Sequence, residues 1–459
     1  MQETIAFVKR LSNIKYEQLP SSSIERAKEC LIDYLACIYA AYSFESSRIA
    51  REYALENYAR GPCTIIGSPE KLVPAGACLA NGTTGHGADF DDCSNEGGGH
   101  PGAAVMPASI SMSEYARLSG KDMLRCLVIG YETFIKIGKA SNYQPLFTRG
   151  YHPTALFGTF GATMSAAAAL GLNIDQAVNA MGIAGSFVSG NLECYSDGSY
   201  TKRLHGGSAS SSGVTAALLA EKGYTGPKSI LEGPRGFYHA YCEGARPEML
   251  LNSDDGFEID GVSFKPHACC RFNQAGIDAV FEIFKEQDID YRSIKSILIE
   301  LAKTPYEMVG QPQEVKFNPV CAVHGQFSAP YSVAIACIER KALVNEFSDE
   351  SVRRPDVKDF LKKISIKHTP ELDRFFPESF PTRLTITMED GREFSKEIRY
   401  PKGDLENPLS WEELLDKFNN CASPFLDDGR RQQVIEMVRG IEKIENISSL
   451  TDLFHQKKS

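Results

Sequence analysis

The 459-residue sequence lacks the features that would place it in several large functional classes. It has no excess of positive charge: 49 Lys and Arg stand against 59 Asp and Glu, a formal balance of −10. Without a broad basic field to attract phosphates, neither a nucleic acid nor a membrane surface is an expected partner. No CxxC pair occurs among the 13 cysteines, whose number is odd and whose spacing is irregular. That pattern argues against a disulfide framework or a cysteine zinc site and for reduced thiols in a cytoplasmic protein. A GxxxxGK[ST] phosphate loop is missing, and so is an HxxxH pair. The N-terminal stretch reads as an amphipathic helix, not as a basic region followed by an apolar block, so no secretory signal is expected. The stretch 151–174 has no Asp, Glu, Lys or Arg, but it contains His152, Pro153 and many Ala, Gly, Thr and Ser residues. Its length would permit a membrane span; its composition fits a buried helix of a soluble protein better.

What is present is an ordinary globular composition, 42% hydrophobic and 24% charged, in a chain long enough for two domains. Helical spacing of apolar residues marks 22–41, 121–139, 154–170 and 210–222, with Gly171 and Gly223 closing the last two. After about residue 260 the pattern changes. Residues 292–301 alternate like a strand, and 382–399 read as a hairpin about Asp390-Gly391. Helices are expected at 275–285, near 328–340 and near 357–363, and helical patterning returns from Ser410 onward. The fold class is therefore mainly α: a large helical domain over 1–262, an inserted smaller α+β lid domain over 263–403, and a helical segment over 404–459 that completes the first domain.

Four local clusters could carry chemistry. The string His86-Gly-Ala-Asp-Phe-Asp-Asp-Cys places Asp89, Asp91 and Asp92 together, followed by Gly97-Gly98-Gly99-His100-Pro101. Carboxylates this close raise one another's pKa if buried, which suits a general base or acid; the bland alternative is a solvated loop. A divalent metal is the rival reading of an Asp cluster with a His. The glycine triplet is expected to turn the chain so that His100 comes back toward the acidic run. His152-Pro153 repeats the His-Pro pattern before a helix, where the dipole favours a neutral, basic imidazole. Lys202, Arg203 and His205 form a basic group that could anchor carboxylates, Arg by its bidentate fork. Lys265-Pro-His-Ala-Cys-Cys-Arg271 falls at the expected domain boundary, a common place for sites.

In this order, DFDD at 89–92 with HP at 100–101, YHPT at 151–154, TKRLH at 201–205 and KPHACCR at 265–271 resemble the MmgE/PrpD family. QFSAPYSVA at 326–334 and PLSWEELLDKF near the C-terminus extend the likeness over essentially the whole chain. The resemblance implies a cofactor-free and metal-free homodimer acting on a small polycarboxylate. Asp89, His100, His152 and Lys202 would be the catalytic residues, and Arg203, His205, Cys270, Arg271 and Gln274 would bind substrate. The expected chemistry is proton abstraction next to a carboxylate, with His152 or Asp89 as base, His100 as the partner acid, and Lys202 with Arg203 as anchors. A 2-methylcitrate dehydratase-like hydro-lyase is favoured over a cis-aconitate decarboxylase-like lyase or an iminodisuccinate epimerase-like isomerase. A non-catalytic polycarboxylate-binding protein is the alternative of another class. Four departures from the family pattern fall where substrate contacts are expected. Decarboxylase-like members carry a His near the position of Cys270, and many members carry one at Gln274. The 93–99 run is Ser/Asn/Gly-rich in place of an aromatic and a His. His324 and Gln326 stand where a Lys is common.

Overall fold

A computed structural model describes residues 2–252 and 256–455. Six helices build the body around the site: α1 (Ser21–Ala41), α2 (Pro74–Gly85), α3 (Pro101–Tyr115), α4 (Gly120–Ser141), α5 (Pro153–Ala169) and α6 (Thr201–Glu221). Both α3 and α5 begin on a proline directly after a histidine, so His100 and His152 are their N-cap residues. Proline suits the first helical position because that N–H has no helical acceptor, and its fixed φ is already helical. α4 is capped by Ser119, whose side chain accepts from the Asp122 N–H.

The sequence-expected helix at 210–222 begins nine residues earlier, at Thr201, so Lys202, Arg203 and His205 lie inside α6. Its Gly206-Gly207 pair does not break the helix, although each glycine costs about 1 kcal/mol of helix propensity. The reason is close packing against α2: a Cβ on Gly82 would come within 2.7 Å of the Gly207 Cα, and one on Gly207 within 2.3 Å of the Leu79 carbonyl oxygen. A short antiparallel pair, β1 (Arg60–Thr64) with β2 (Lys71–Leu72), interrupts a region that reads as helical in sequence.

After residue 264 the chain forms α7 (Gln274–Glu286), β3 (Ile294–Leu301), α8 (Ala329–Glu339), β4 (Ile364–His368), β5 (Thr382–Met388) and β6 (Glu393–Ile398). The sheet order is β4-β3-β5-β6, with β3 and β4 parallel and the other neighbours antiparallel. Alternate residues of β5 are buried, as the sequence pattern requires, and α7 packs against β5 and β6. The β5–β6 turn places Gly391 at φ +88°, a conformation that glycine adopts without a Cβ clash. The chain then forms α9 (Trp411–Ala422), opened by a capping box of Ser410 with Glu413.

Two main hydrophobic cores result. One joins Leu31, Leu35, Phe134 and Phe157 of the helical body to Leu414, Phe418, Val434 and Phe454, so the last segment packs with the first. The other is built on Ile277, Ile297, Ile299, Leu384 and Ile386 and reaches across to Ala88 and Phe90. The segment between α2 and α3 thus has its apolar residues anchored in the sheet unit and its polar residues free to face the helical body. Among the described residues, no helix is long and apolar enough to cross a membrane.

Candidate active site

The three clustered aspartates are all buried, which excludes the solvated-loop reading, and each has a different partner set. Asp89 is held at φ +53°, in the left-handed region, and its Oδ1 accepts from Lys202 Nζ. Lys265 Nζ lies 3.3 Å from Asp89 Oδ2 and donates to the Asp89 backbone carbonyl at 2.9 Å. Burial works against the charge of Asp89, but Lys202 and Lys265, with His100, outweigh it and hold the carboxyl below the usual range. Asp91 Oδ2 accepts from His86 Nδ1 at 2.7 Å and lies 3.6 Å from His100 Nδ1. Burial again raises its carboxyl, and the two imidazoles together with Lys265 hold it well below the normal value. Asp92 accepts from the Gly102 N–H at 2.9 Å and from the Tyr131 hydroxyl at 2.6 Å, so it ties the segment to the start of α3 and to α4.

Burial pushes Asp92 up to about 7, helped by Asp33 and Asp91 and opposed by the Tyr131 hydrogen bond. A carboxyl whose folded pKa lies above its unfolded value contributes stability fully present below the unfolded value and lost as pH rises through the folded one. Asp92→Asn keeps the neutral form throughout. The melting temperature of the wild type minus that of the variant should therefore fall as pH rises from about 5 to about 8. A difference that stays flat over that range would remove Asp92 from this role.

The glycine triplet acts as the sequence suggests. Gly98 and Gly99 take φ of +70° and +144°, the Ser94 N–H donates to the Gly99 carbonyl, and the chain folds back. His100 Nδ1 then donates to the Asp92 carbonyl at 2.8 Å. A carbonyl can only accept, so the hydrogen of neutral His100 sits on Nδ1 and Nε2 is bare. Burial, then Lys265, holds His100 down to about 3, so it is neutral at pH 7. His152 is held well below its usual range by burial first and by His205 and Lys202 next. Its Nδ1 lies 2.8 Å from His205 Nδ1. The His86 ring stands between the two site histidines, 5.1 Å from the His100 ring and 5.6 Å from that of His152.

These groups surround a narrow cleft between the helical body and the sheet unit, with a cavity volume of about 90 Å3. Asp89, His100, His152, Lys202, Cys270 and Arg271 all line it. The rest of the lining is largely aromatic or apolar, with Phe147, Tyr195, Phe272, Met308, Phe327 and Phe380. Arg271 donates to Asp404 Oδ1 and leaves its Nη1 without a partner among the described residues. Burial pushes the Cys270 thiol up to about 11, so it stays protonated.

Three of the sequence-expected binding residues lie outside the cleft lining. Arg203 points its Nη1 at the Ser46 hydroxyl, 3.2 Å away, and its guanidinium sits over the Phe44 and Tyr200 rings. One residue further along α6 than Lys202, it is turned by about 100° of helix to another face. His205 lies behind His152. Gln274 is fully buried and donates from Nε2 to the His267 and Cys269 carbonyls, so it shapes the 267–270 loop without facing the cleft. Conversely, His86 and Lys265 stand inside the quoted strings, but nothing in their local sequence assigns them a role. The apolar lining residues come from separate segments and carry no local signal. No cluster of three or more His, Cys, Asp or Glu side chains suited to a metal ion occurs among the described residues.

The family model for the MmgE/PrpD N-terminal domain matches residues 6–250, and that for the MmgE/PrpD C-terminal domain matches residues 267–443. Cis-aconitate decarboxylase of Aspergillus terreus is 25% identical over 97% of this chain and 94% of its own length. Cis-aconitate decarboxylase of Homo sapiens is 27% identical over 98% of this chain and 94% of its own. The 2-methylcitrate dehydratase of Cupriavidus necator is 24% identical over 92% of this chain and 90% of its own. With both family domains matched in order along a chain whose motifs converge on one cleft, this protein belongs to the MmgE/PrpD family.

Proposed function

We propose that this chain is a lyase that moves a proton at a carbon next to a carboxylate in a small polycarboxylic acid, by loss of water as in a 2-methylcitrate dehydratase. The observation that carries this reading is the pair of neutral imidazoles lining one cleft beside Asp89 and Lys202, each with Nδ1 engaged. Elimination of water needs a base for the carbon-bound proton and an acid for the departing hydroxyl. His100 has its Nε2 lone pair placed for the base, and a substrate carboxylate beside it would raise the proton affinity that burial and Lys265 hold low; His152 can present Nε2–H as the acid. The fixed His100 tautomer thus favours the reverse of the sequence-based assignment. Lys202 and Arg271 would hold carboxylates, and Lys202 would offset charge growing on the enolate-like intermediate. Asp89, whose two oxygens are engaged by Lys202 and Lys265, serves to position Lys202. Every step is a proton transfer or a charge-assisted bond cleavage, so the reading requires no redox group. A homodimer, from the family likeness, and a cytoplasmic location, from the cysteine pattern, are part of the same proposal.

A second reading, decarboxylation, is favoured by the decarboxylase relatives and by the apolar part of the lining, since a carboxylate that leaves as neutral carbon dioxide is helped by apolar surroundings. Proton NMR in deuterated water with 2-methylcitrate, citrate, cis-aconitate and iminodisuccinate separates the outcomes. New vinylic signals from 2-methylcitrate or citrate are expected. Release of carbon dioxide from cis-aconitate would replace dehydration with the second reading, and deuterium uptake without net loss would indicate epimerisation. No change with any of the four compounds would sink the lyase assignment.

A further inference from the structure

His205 lies outside the cleft lining, yet it touches the site through His152. Its Nδ1 is 2.8 Å from the Nδ1 of His152, and the two rings are 5.0 Å apart between centroids. Each neutral imidazole carries one N–H, and a contact of that length requires one hydrogen shared between the two Nδ1 atoms. The pair therefore has two neutral arrangements. In one, His205 donates and His152 carries its hydrogen on Nε2, as an acid; in the other, His152 donates from Nδ1 and its Nε2 is bare, as a base.

The surroundings oppose a cation on either ring. Lys202 on α6 carries the positive charge that faces the pair, His86 and His100 from the segment between α2 and α3 face it as imidazoles of lowered proton affinity, and no carboxylate bonds to it among the described residues. Asp91 is taken by His86, and Asp89 by Lys202 and Lys265. Burial, His86 and Lys202 hold His205 down to about 4. The His86 Nε2 is buried without a partner among the described residues. His152 lines the cleft and is 3% exposed; His205 is 8% exposed, with its Nε2 edge against Gly190.

We propose that His205 is a positioning residue that relays protons to His152 by exchanging tautomers with it, without either ring becoming a cation. This rests on the acid–base role assigned to His152 above. When His152 Nε2 gives its proton to the substrate, the hydrogen on His205 Nδ1 moves to His152 Nδ1, and His205 Nε2 takes one proton from solvent. One proton enters at His205 and one leaves at His152. Run in reverse, the same steps carry a proton out. The forward steps leave His152 with Nε2 bare, and it becomes an acid again when Nε2 takes a proton at the cleft and the reverse steps return one to solvent at His205.

Two-bond proton–nitrogen correlation of the full chain labelled with ¹⁵N-histidine reads the tautomers directly, with His205→Asn and His152→Asn assigning the signals. Averaged nitrogen shifts, between the protonated and bare extremes, are expected for both rings in the wild type. In His205→Asn, His152 should freeze into one tautomer. Its kcat should fall about a hundredfold with KM changed by less than about threefold on the polycarboxylate that the wild type converts. A single fixed tautomer for the wild-type pair would overturn the relay, as would full kcat in folded His205→Asn. If the wild type converts no polycarboxylate, the lyase reading fails while the nitrogen shifts still decide the relay. If His205→Asn does not fold, the wild-type spectrum decides alone.

Discussion

Replacing Lys202 with methionine should lower kcat/KM by about three orders of magnitude while leaving the chain folded. The side chain is buried at the cleft, its Nζ pairs with Asp89, and its stem passes beside the Phe327 ring, with Nζ 5.3 Å from the ring centroid. Methionine keeps the stem and removes the charge. Asp89 retains Lys265 at 3.3 Å, so the buried carboxylate is not left alone and the segment between α2 and α3 stays in place. What is lost is the one lysine charge among the cleft-lining residues, which is worth most when negative charge develops on the substrate in a water-poor site. The measurement is steady-state kinetics on the compound converted in the NMR series, with circular dichroism as the check on folding. A folded variant of wild-type activity would remove Lys202 from the machinery.

Lys417→Met should cost about 3–5 kcal/mol of stability, the range expected when one partner of a buried ion pair is removed. Lys417 Nζ donates to Asp33 Oδ1 at 2.6 Å, to the Phe90 carbonyl at 2.8 Å and to the Lys265 carbonyl at 3.0 Å. One ammonium from α9 therefore joins α1, the aspartate segment and the loop that supplies Lys265. Its removal leaves the Asp33 carboxylate buried without its cation. Burial already raises Asp33 above the usual carboxylate range with Lys417 opposing, and the variant should raise it further. Because that raised group binds protons in the folded state, the deficit should shrink as pH falls from about 8 to about 5. Urea unfolding at both pH values measures it, and Asp33→Asn combined with Lys417→Met should recover part of the loss. A single variant as stable as the wild type would show that the carboxylate is compensated in another way.

The elements most readable from sequence are those whose signal is local. The His-Pro starts of α3 and α5, the Asp390-Gly391 hairpin and the capping box of α9 each follow from residues within a few positions of one another. The start of α6 was hidden because Gly206 and Gly207, local helix breakers, are required by the approach of α2, a partner more than 100 residues away. The β1–β2 pair was hidden for the related reason that a two-residue strand carries no period.

By itself the sequence determined the family, the mainly helical class, and the residues Asp89, His100, His152 and Lys202 that meet at one cleft. Charged and polar residues in fixed order along the chain are legible because each cluster is short. Only the tertiary structure decided which neighbour faces the cleft: Lys202 does and Arg203 does not, since one step along a helix turns a side chain by about 100°. It also decided what each aspartate does, because partners such as Lys265, Tyr131 and His86 reach the segment from different elements. The tautomer of His100 and its low proton affinity arise the same way, from a carbonyl and from burial that exist only once the glycine turn has closed.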